Sequence, residues 1–175
     1  CQAEELWKTF DYFSGYGFNK SHAVSYSIIS YQCAWLCNYY TTEWVASFLD
    51  KEPESRKEKA INLAKQHGYS IQPLSVNKSG RTWEILDDTT LVAPLTTIKG
   101  LGDKAIDQIL AHRPFETIEE FLFHDEIVYS KLNKKCLDAL ARSGAMRELQ
   151  DDRFTGDKHF WTATCVDRPR KLKNL

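Results

Sequence analysis

The pair Gly100 and Gly102, separated by Leu101, constrains the fold of this 175-residue chain more than any other short stretch. The pair lies in LTTIKGLGDKAIDQIL, where hydrophobic residues recur at helical spacing on both sides of the glycines. Glycine permits the backbone angles of a tight turn, so the pattern predicts two short helices joined by that turn. Such a turn exposes backbone N–H groups near Gly102, at the positive end of the second helix, where an anion can bind.

Two lysines, Lys99 and Lys104, flank this turn and add positive charge, and Leu101 is expected to fill the space between the helices. The stretch resembles the helix-hairpin-helix motif of proteins that bind DNA phosphates without reading the base sequence. The resemblance implies that Lys99, Gly100, Leu101, Gly102 and Lys104 contact DNA. The alternative is a turn between helices that needs glycine for its shape alone.

A second glycine-bearing stretch, GYGFNKSHAVSY, occupies residues 15–26 and leads into a helical pattern. Gly17 keeps the connection permissive, and Asn19 or Ser21 is expected to cap the helix that follows. The question raised by this stretch is why basic side chains gather at a helix start.

The basic side chains in question are Lys20 and His22, which lie beside the positive end of the helix dipole. That position is unfavourable unless an anion offsets it, and a triphosphate is such an anion. Tyr26 lies one turn after His22, where its ring can stack beside a base. The alternative is that Ser21 caps the helix, Lys20 is solvated, and His22 and Tyr26 are buried for packing alone.

Apolar spacing elsewhere predicts a mainly α-helical chain with a small β insertion. A wide stripe of Val24, Ile28, Tyr31 and Trp35 predicts a helix that is buried on most of its circumference. Short β-like runs after Tyr69 predict an antiparallel hairpin region. Further helices are expected over 4–14, 43–50 and 54–66 and within the stretches 115–124 and 133–146, with Thr117 and Asn133 as caps and Gly144 as a terminator.

The amino-acid composition limits the classes of function that this chain can have. The chain has 42% hydrophobic and 27% charged residues with a formal net charge of −1, which is typical of a globular protein. This balance excludes a uniformly basic nucleic-acid surface but leaves room for local basic patches. No apolar run of membrane-spanning length and no secretory signal occur, so we expect a cytoplasmic chain with reduced cysteines. The i, i+4 pair Cys33 and Cys37 lacks further ligands nearby, so no metal site is expected.

Several separate motifs together resemble one enzyme family. GYGFNKSHAVSYSIISYQCAWL followed by YYTTEWVASFL resembles the fingers segment of the bacterial DNA polymerase III alpha subunits, the family C polymerases. The resemblance continues in order through GYSIQPLSVNKS, LTTIKGLGDKAIDQIL and KLNKKCLDALARSGAM, and covers residues 4–149. It implies that the fingers bind the incoming deoxynucleoside triphosphate (dNTP), and that the hairpin grips the primer–template duplex. The dNTP-binding residues implied are Asn19, Lys20, Ser21, His22 and Tyr26.

The resemblance also implies an order of segments along the chain. The expected segments are helical fingers over 1–68, a short β-containing connector over 69–94, a helix-hairpin-helix DNA-binding region over 95–149, and a basic, poorly ordered tail over 150–175. Within that tail, RPRKLK at 168–173 is interpreted either as a phosphate-binding strip or as a solubilising end.

In the family, the aspartates that hold two catalytic Mg²⁺ ions lie in an upstream palm domain, and this chain begins after it. We therefore expect no catalytic residue, metal or cofactor in this chain and no polymerase activity from it alone. The expected partners are primer–template DNA, dNTP, the palm-bearing remainder of the polymerase and, in the complete enzyme, a sliding clamp, inside a bacterium or a phage-infected one. Two alternatives are a stand-alone, non-sequence-specific DNA-binding module and an interaction domain without nucleic-acid contact.

Overall fold

The computed structural model describes residues 2–16 and 19–166. The described residues form eight α-helices and three short strands, which confirms the prediction of a mainly α-helical chain with a small β insertion. The helices are α1 (Gln2–Tyr16), α2 (Lys20–Tyr39), α3 (Thr41–Lys51), α4 (Glu54–Gln66), α5 (Asp103–His112), α6 (Ile118–Phe123), α7 (Lys134–Ser143) and α8 (Asp157–Trp161). The strands are β1 (Ser70–Gln72), β2 (Glu84–Asp87) and β3 (Thr90–Val92). Two predicted features, the permissive Gly17 and the basic strip over 168–173, lie outside the described residues.

The contacts divide the chain into two units, one over residues 1–44 and one over residues 45–175. The first unit contains α1, α2 and the start of α3. The second contains all three strands and helices α4 to α8. These units group the residues differently from the four segments expected from the sequence, which stay predictions.

Helix α2 has no buried residue in the described part of the chain. Its apolar stripe is open to solvent, with Val24 50%, Ile28 53% and Tyr31 70% exposed. The expectation that α2 is buried on most of its circumference is therefore wrong for this chain. The spacing correctly marks an apolar face, but no described residue of this chain covers that face.

A three-stranded sheet with the order β1-β3-β2 follows α4. Strands β2 and β3 pair antiparallel, with a bulge between Ile85 and Asp87, so the expected hairpin is confirmed. Strand β1 pairs with β3 in parallel, which the sequence pattern did not indicate. The sheet packs on α3 and α4 through a hydrophobic cluster that we call the sheet core, formed by Ala46, Leu49, Ala60, Ala64, Trp83 and Leu91.

Between β1 and β2 the chain leaves the sheet over residues 73–83, a segment that we call the excursion. Its Val76 is fully buried in the core of the helical region and donates its backbone N–H to the Ala145 carbonyl oxygen at 2.9 Å. The Asn77 side chain donates to the Phe115 carbonyl oxygen and accepts from the Phe115 backbone N–H, both at 2.8 Å. The excursion is thereby fixed to the helices that follow it.

Helices α5, α6 and α7 pack around a second cluster, the bundle core, which includes Ile106, Ile109, Phe121, Leu137 and Leu140. The caps predicted for α6 and α7 are confirmed, because the side chain of Thr117 accepts from the Glu120 N–H and that of Asn133 accepts from the Lys135 N–H. Gly144 ends α7 with a φ of 78°, in the left-handed region that favours glycine.

The expectation of a poorly ordered tail is wrong for residues 150–166. This segment contains α8 and a π-helical turn, and its Phe154, Phe160 and Cys165 are buried in the bundle core. Arg153 links it to α6 by donating to the Glu119 carboxylate, which holds the pKa of Glu119 below its usual range. The segment lacks a regular helical period because its apolar residues are spread over a loop, a short helix and a π turn.

Candidate nucleic-acid interface

The turn before α5 has the glycine geometry that the sequence predicts, but its first helix is shorter than expected. A single 3-10 turn, Leu95–Thr97, precedes it instead of an α-helix. Gly100 has a φ of 95°, which side-chain-bearing residues adopt only with strain. Leu101 is 8% exposed and joins the bundle core, as expected for the residue between the two glycines.

Helix α5 begins without a side-chain cap. Its N-cap residue is Gly102, and the Gly102 carbonyl oxygen accepts from the backbone N–H groups of Ala105 and Ile106 at 2.9 and 3.1 Å. A methyl group built onto Gly102 would meet nothing within 4 Å. Because the first N–H groups of an α-helix have no partner inside the helix, those of Asp103 and Lys104 have no helical acceptor, and no side chain caps them. The start of α5 can therefore receive an oxyanion at close range.

An arginine from the end of the excursion pairs with both carboxylates on α5. Arg81 lies 3.2 Å from the Asp103 carboxylate, measured from Nη1 to Oδ1, and forms a second ion pair with Asp107. These contacts, led by the hydrogen bond to Asp107, raise the pKa of Arg81 above its usual range. The position of Arg81 is fixed in part by Thr96, whose hydroxyl donates to the Arg81 carbonyl oxygen at 3.0 Å. Arg81 thus offsets one of the two negative charges that would repel a phosphate from α5.

A lysine from α7 joins the lysines of the hairpin. A methyl group built onto Gly100 would lie 3.8 Å from Cε of Lys135, so this side chain extends across the turn. Lys99, Gly100 and Lys135 line one cleft together with Arg142. In the described part of the chain, no carboxylate forms an ion pair with Lys99, Lys104 or Lys135. The interface therefore presents three cations that protein groups do not neutralise.

Sequence reasoning missed Arg81 and Lys135. Arg81 lies 22 residues before its partner Asp103, and Lys135 lies 35 residues after Gly100, so helical or strand spacing cannot relate them. The only local signal was the concentration of lysines beside the Asn133 cap in KLNKK.

The residues proposed for dNTP binding lie at the start of α2, and Asn19 is the residue that caps this helix. Its Oδ1 accepts from the Ser21 backbone N–H at 3.0 Å and from the Ser21 hydroxyl at 2.6 Å. His22 and Tyr26 are brought together, with ring centroids 4.4 Å apart and ring planes at 49°. Asn19, Ser21, His22 and Tyr26 are all exposed.

Lys20 is not brought together with His22. Residues two apart on a helix point about 200° away from each other around the axis. Lys20 instead lies on the face of α2 that carries Val24, Ile28 and Tyr31. The side chains of Lys20 and His22 therefore project from different sides of the start of α2.

Comparisons with known proteins agree with this geometry. A family model described as "Helix-hairpin-helix motif" matches residues 68–155, which include Arg81, the hairpin and Lys135. DNA polymerase III subunit alpha of Campylobacter jejuni is 33% identical over 157 residues, which make up 85% of this chain and 13% of that relative. The chain belongs to the DNA polymerase III alpha family. The subunit of Thermus aquaticus is 32% identical over 86% of this chain and 12% of its own length, and that of Pseudomonas aeruginosa 32% over 84% and 13%.

The match to the family covers only a segment of its members. The chain spans about one eighth of the length of the curated relatives that it matches. Among the described helices, none is both long and apolar enough to span a lipid bilayer.

Proposed function

We propose that this chain is the part of a DNA polymerase III alpha subunit that grips the backbone of duplex DNA. The single observation that carries the proposal is the uncapped start of α5 at Gly102, which is open to solvent and has three unpaired lysines around it. Backbone N–H groups and lysines bind phosphate oxygens without reading bases. Binding is therefore independent of sequence, and it weakens with salt because counterions are released, with a modest slope because few phosphates are contacted.

The start of α2 is proposed to position the incoming dNTP. Support comes from the paired rings of His22 and Tyr26 on an exposed helix start and from the resemblance of the surrounding segment to the fingers of the family. Because Asn19 already accepts from the Ser21 N–H, the side chains of Lys20 and His22 supply most of the attraction for the triphosphate. Tyr26 stacks beside the nascent base pair in this proposal.

Catalysis requires more than this segment. We infer that the two Mg²⁺ ions and their aspartates belong to the palm-bearing remainder of the subunit, so that this chain alone does not polymerise DNA. Nucleotide binding is accordingly expected only with that remainder present. A sliding clamp is expected as a partner of the complete enzyme, in the cytoplasm.

Titration of a labelled DNA duplex at several salt concentrations tests the DNA-binding role. Replacing Lys104 or Lys135 with alanine is expected to reduce the slope of log K against log salt by about 0.9 for each lost phosphate contact. The matched control is Lys59→Ala, which removes the same charge from α4, a helix that packs on the sheet. If Lys59→Ala lowers the slope as much as Lys104→Ala, the effect is general charge and the proposed interface is wrong.

A second titration separates the proposal from a stand-alone DNA-binding module. In a polymerase completed with its palm, the double replacement of Lys20 and His22 by alanine is expected to weaken dNTP binding while duplex affinity stays the same. Unchanged dNTP affinity would favour the module without a nucleotide role. Unchanged duplex affinity in both Lys104→Ala and Lys135→Ala would favour an interaction domain without nucleic-acid contact.

A further inference from the structure

Three potential metal ligands meet at the end of α5 that is opposite to the DNA-facing start. His112 is the last residue of α5, His124 follows the end of α6, and Glu126 lies in the next loop. One ligand atom from each of these three residues lies within 4.8 Å of the other two. We call this set the histidine cluster. In the described part of the chain it is the one group of three histidine, cysteine or acidic residues that is close enough to share an ion.

The tautomer of His112 is fixed by the backbone. Its Nδ1 lies 2.8 Å from the Gln108 carbonyl oxygen, and a carbonyl oxygen only accepts hydrogen bonds, so Nδ1 carries the proton. The neutral ring then presents an unprotonated Nε2, which lies 3.8 Å from the Glu126 carboxylate. A histidine whose other nitrogen donates to a carbonyl is the usual arrangement at zinc sites, where that hydrogen bond orients the ring.

One of the three separations, between His112 and Glu126, is close to that of two ligands of a shared ion, and the other two are at most 4.8 Å. Two ligands at about 2.0 to 2.1 Å from a tetrahedral Zn²⁺ lie roughly 3.4 Å apart, so the separation of His112 and Glu126 has to close by only a few tenths of an ångström. The Glu126 side chain is 79% exposed and free to make that adjustment. At His124, Nδ1 accepts only a long hydrogen bond, 3.3 Å from the Glu126 backbone N–H.

The loop that carries His124 and Glu126 is held against α5 and α6. The Gln108 side chain accepts from the Val128 backbone N–H at 2.7 Å, so one residue orients His112 through its backbone and the loop through its amide. Tyr129 donates its hydroxyl to the Phe121 carbonyl oxygen at 3.0 Å. The site is thus largely formed before an ion arrives, and the negative end of the α5 dipole favours a cation there.

We propose that His112, His124 and Glu126 bind one Zn²⁺ ion, with the fourth position occupied by water. Two imidazoles and one carboxylate suit a borderline ion such as Zn²⁺ better than Mg²⁺ or Ca²⁺, which prefer oxygen ligands alone. The ion joins the end of α5 to the loop after α6. It therefore stabilises the helix whose other end forms the proposed DNA interface.

Calorimetric titration of the full chain with ZnCl₂ tests this site. One Zn²⁺ per chain is expected to bind, and in a long-range ¹H–¹⁵N spectrum the Nε2 resonance of His112 is expected to shift more than its Nδ1 resonance. Loss of an outer partner of a metal ligand costs about 10- to 100-fold in affinity. His112→Ala and His124→Ala, which remove ligands, are therefore expected to weaken Zn²⁺ binding at least tenfold.

Two controls make the titration decisive. His67→Ala removes an exposed histidine at the end of α4 and is expected to leave Zn²⁺ affinity unchanged. The double replacement of Cys33 and Cys37 by serine is likewise expected to have no effect. Glu126→Gln alters an exposed side chain, keeps the fold and still weakens binding, so it carries the test if a histidine variant does not fold. No heat of binding in the wild-type chain, or equal affinity in the His124, Glu126 and His67 variants, would overturn the proposal.

Discussion

Helix α2 begins at Asn19, whose side chain accepts from the Ser21 backbone N–H, whereas α5 begins at Gly102, which has no side chain to accept anything. Both helix starts carry a lysine in the first turn, where it opposes the helix dipole. At α5, backbone N–H groups and lysines are available together for an anion. At α2, the Asn19 side chain already accepts from the Ser21 N–H group, so side chains must supply more of the attraction for an anion. This difference is the reason why α5, and not α2, is proposed to bind an anion mainly through its backbone.

The largest effect is expected from the glycine that shapes the turn before α5. Gly100→Val places a β-branched residue at a φ of 95° and is expected to lower the free energy of unfolding by about 1 to 3 kcal/mol. Gly102→Val, at a φ of −84° with open space around it, is expected to cost less stability but to reduce DNA affinity. Urea unfolding of the two variants measures the contrast. Equal losses of stability would show that the turn does not depend on the conformation of Gly100.

Adding a carboxylate at each helix start tests the difference between α2 and α5 directly. Gly102→Asp introduces a cap and a negative charge where the phosphate is proposed to bind, so DNA affinity should fall about tenfold, or ~1.4 kcal/mol. Asn19→Asp makes the same charge change at α2 and should leave duplex affinity unaltered. Thermal unfolding should show both variants folded, since aspartate is as good a cap as asparagine. A similar loss of affinity in both would argue that only net charge matters.

Removal of the α2 cap tests how much that helix start depends on Asn19. Asn19→Ala leaves the Ser21 N–H without its acceptor and should cost about 1 kcal/mol of helix stability. Gly102→Ala removes no cap, and its cost should be smaller. Helicity followed by circular dichroism during thermal unfolding compares them. The idea that, of these two helices, α2 has the capped start and α5 the open one fails if Gly102→Ala is the more damaging change.

The smallest effect is expected from replacing Arg81, which pairs with the two carboxylates on α5. Arg81→Met keeps a long apolar stem but leaves the carboxylates of Asp103 and Asp107 unpaired beside the interface. Duplex affinity should fall severalfold at low salt, and the difference from wild type should shrink as salt screens the repulsion. The double change that also converts Asp103 to Asn should recover part of the affinity. An Arg81 variant that binds DNA like wild type would mean that these carboxylates are remote from the phosphates.

The sequence predicted the features that depend on neighbouring residues. The caps at Thr117 and Asn133 and the terminator Gly144 were all identified in advance, because each satisfies backbone groups within a few positions. The turn around Leu101 was identified for the same reason. These features need no knowledge of the rest of the fold.

The features that the sequence could not predict depend on residues that are distant along the chain, or on whether another surface covers an apolar face. The pairing of Arg81 with α5 and the position of Lys135 over Gly100 arise from the packing of the whole bundle. The apolar stripe on α2, represented by Ile28, shows that a pattern reports which face is apolar and not what covers it. The closeness of His112 and His124, the proposed metal ligands, could not be predicted because it arises across two helix ends rather than from spacing along the chain.

The excursion over residues 73–83 couples the unfolding of the sheet to the unfolding of the helices. It starts at the sheet, inserts Val76 among the helices, pairs Arg81 with α5 and returns to the sheet core at Trp83. Strands β1 and β2 therefore cannot separate from α5 and α7 without exposing the same buried valine. Amide hydrogen exchange should accordingly report one shared opening event for the Val76 N–H and the central amides of α7. A substitution that destabilises the sheet should then also destabilise the helices of the proposed DNA interface.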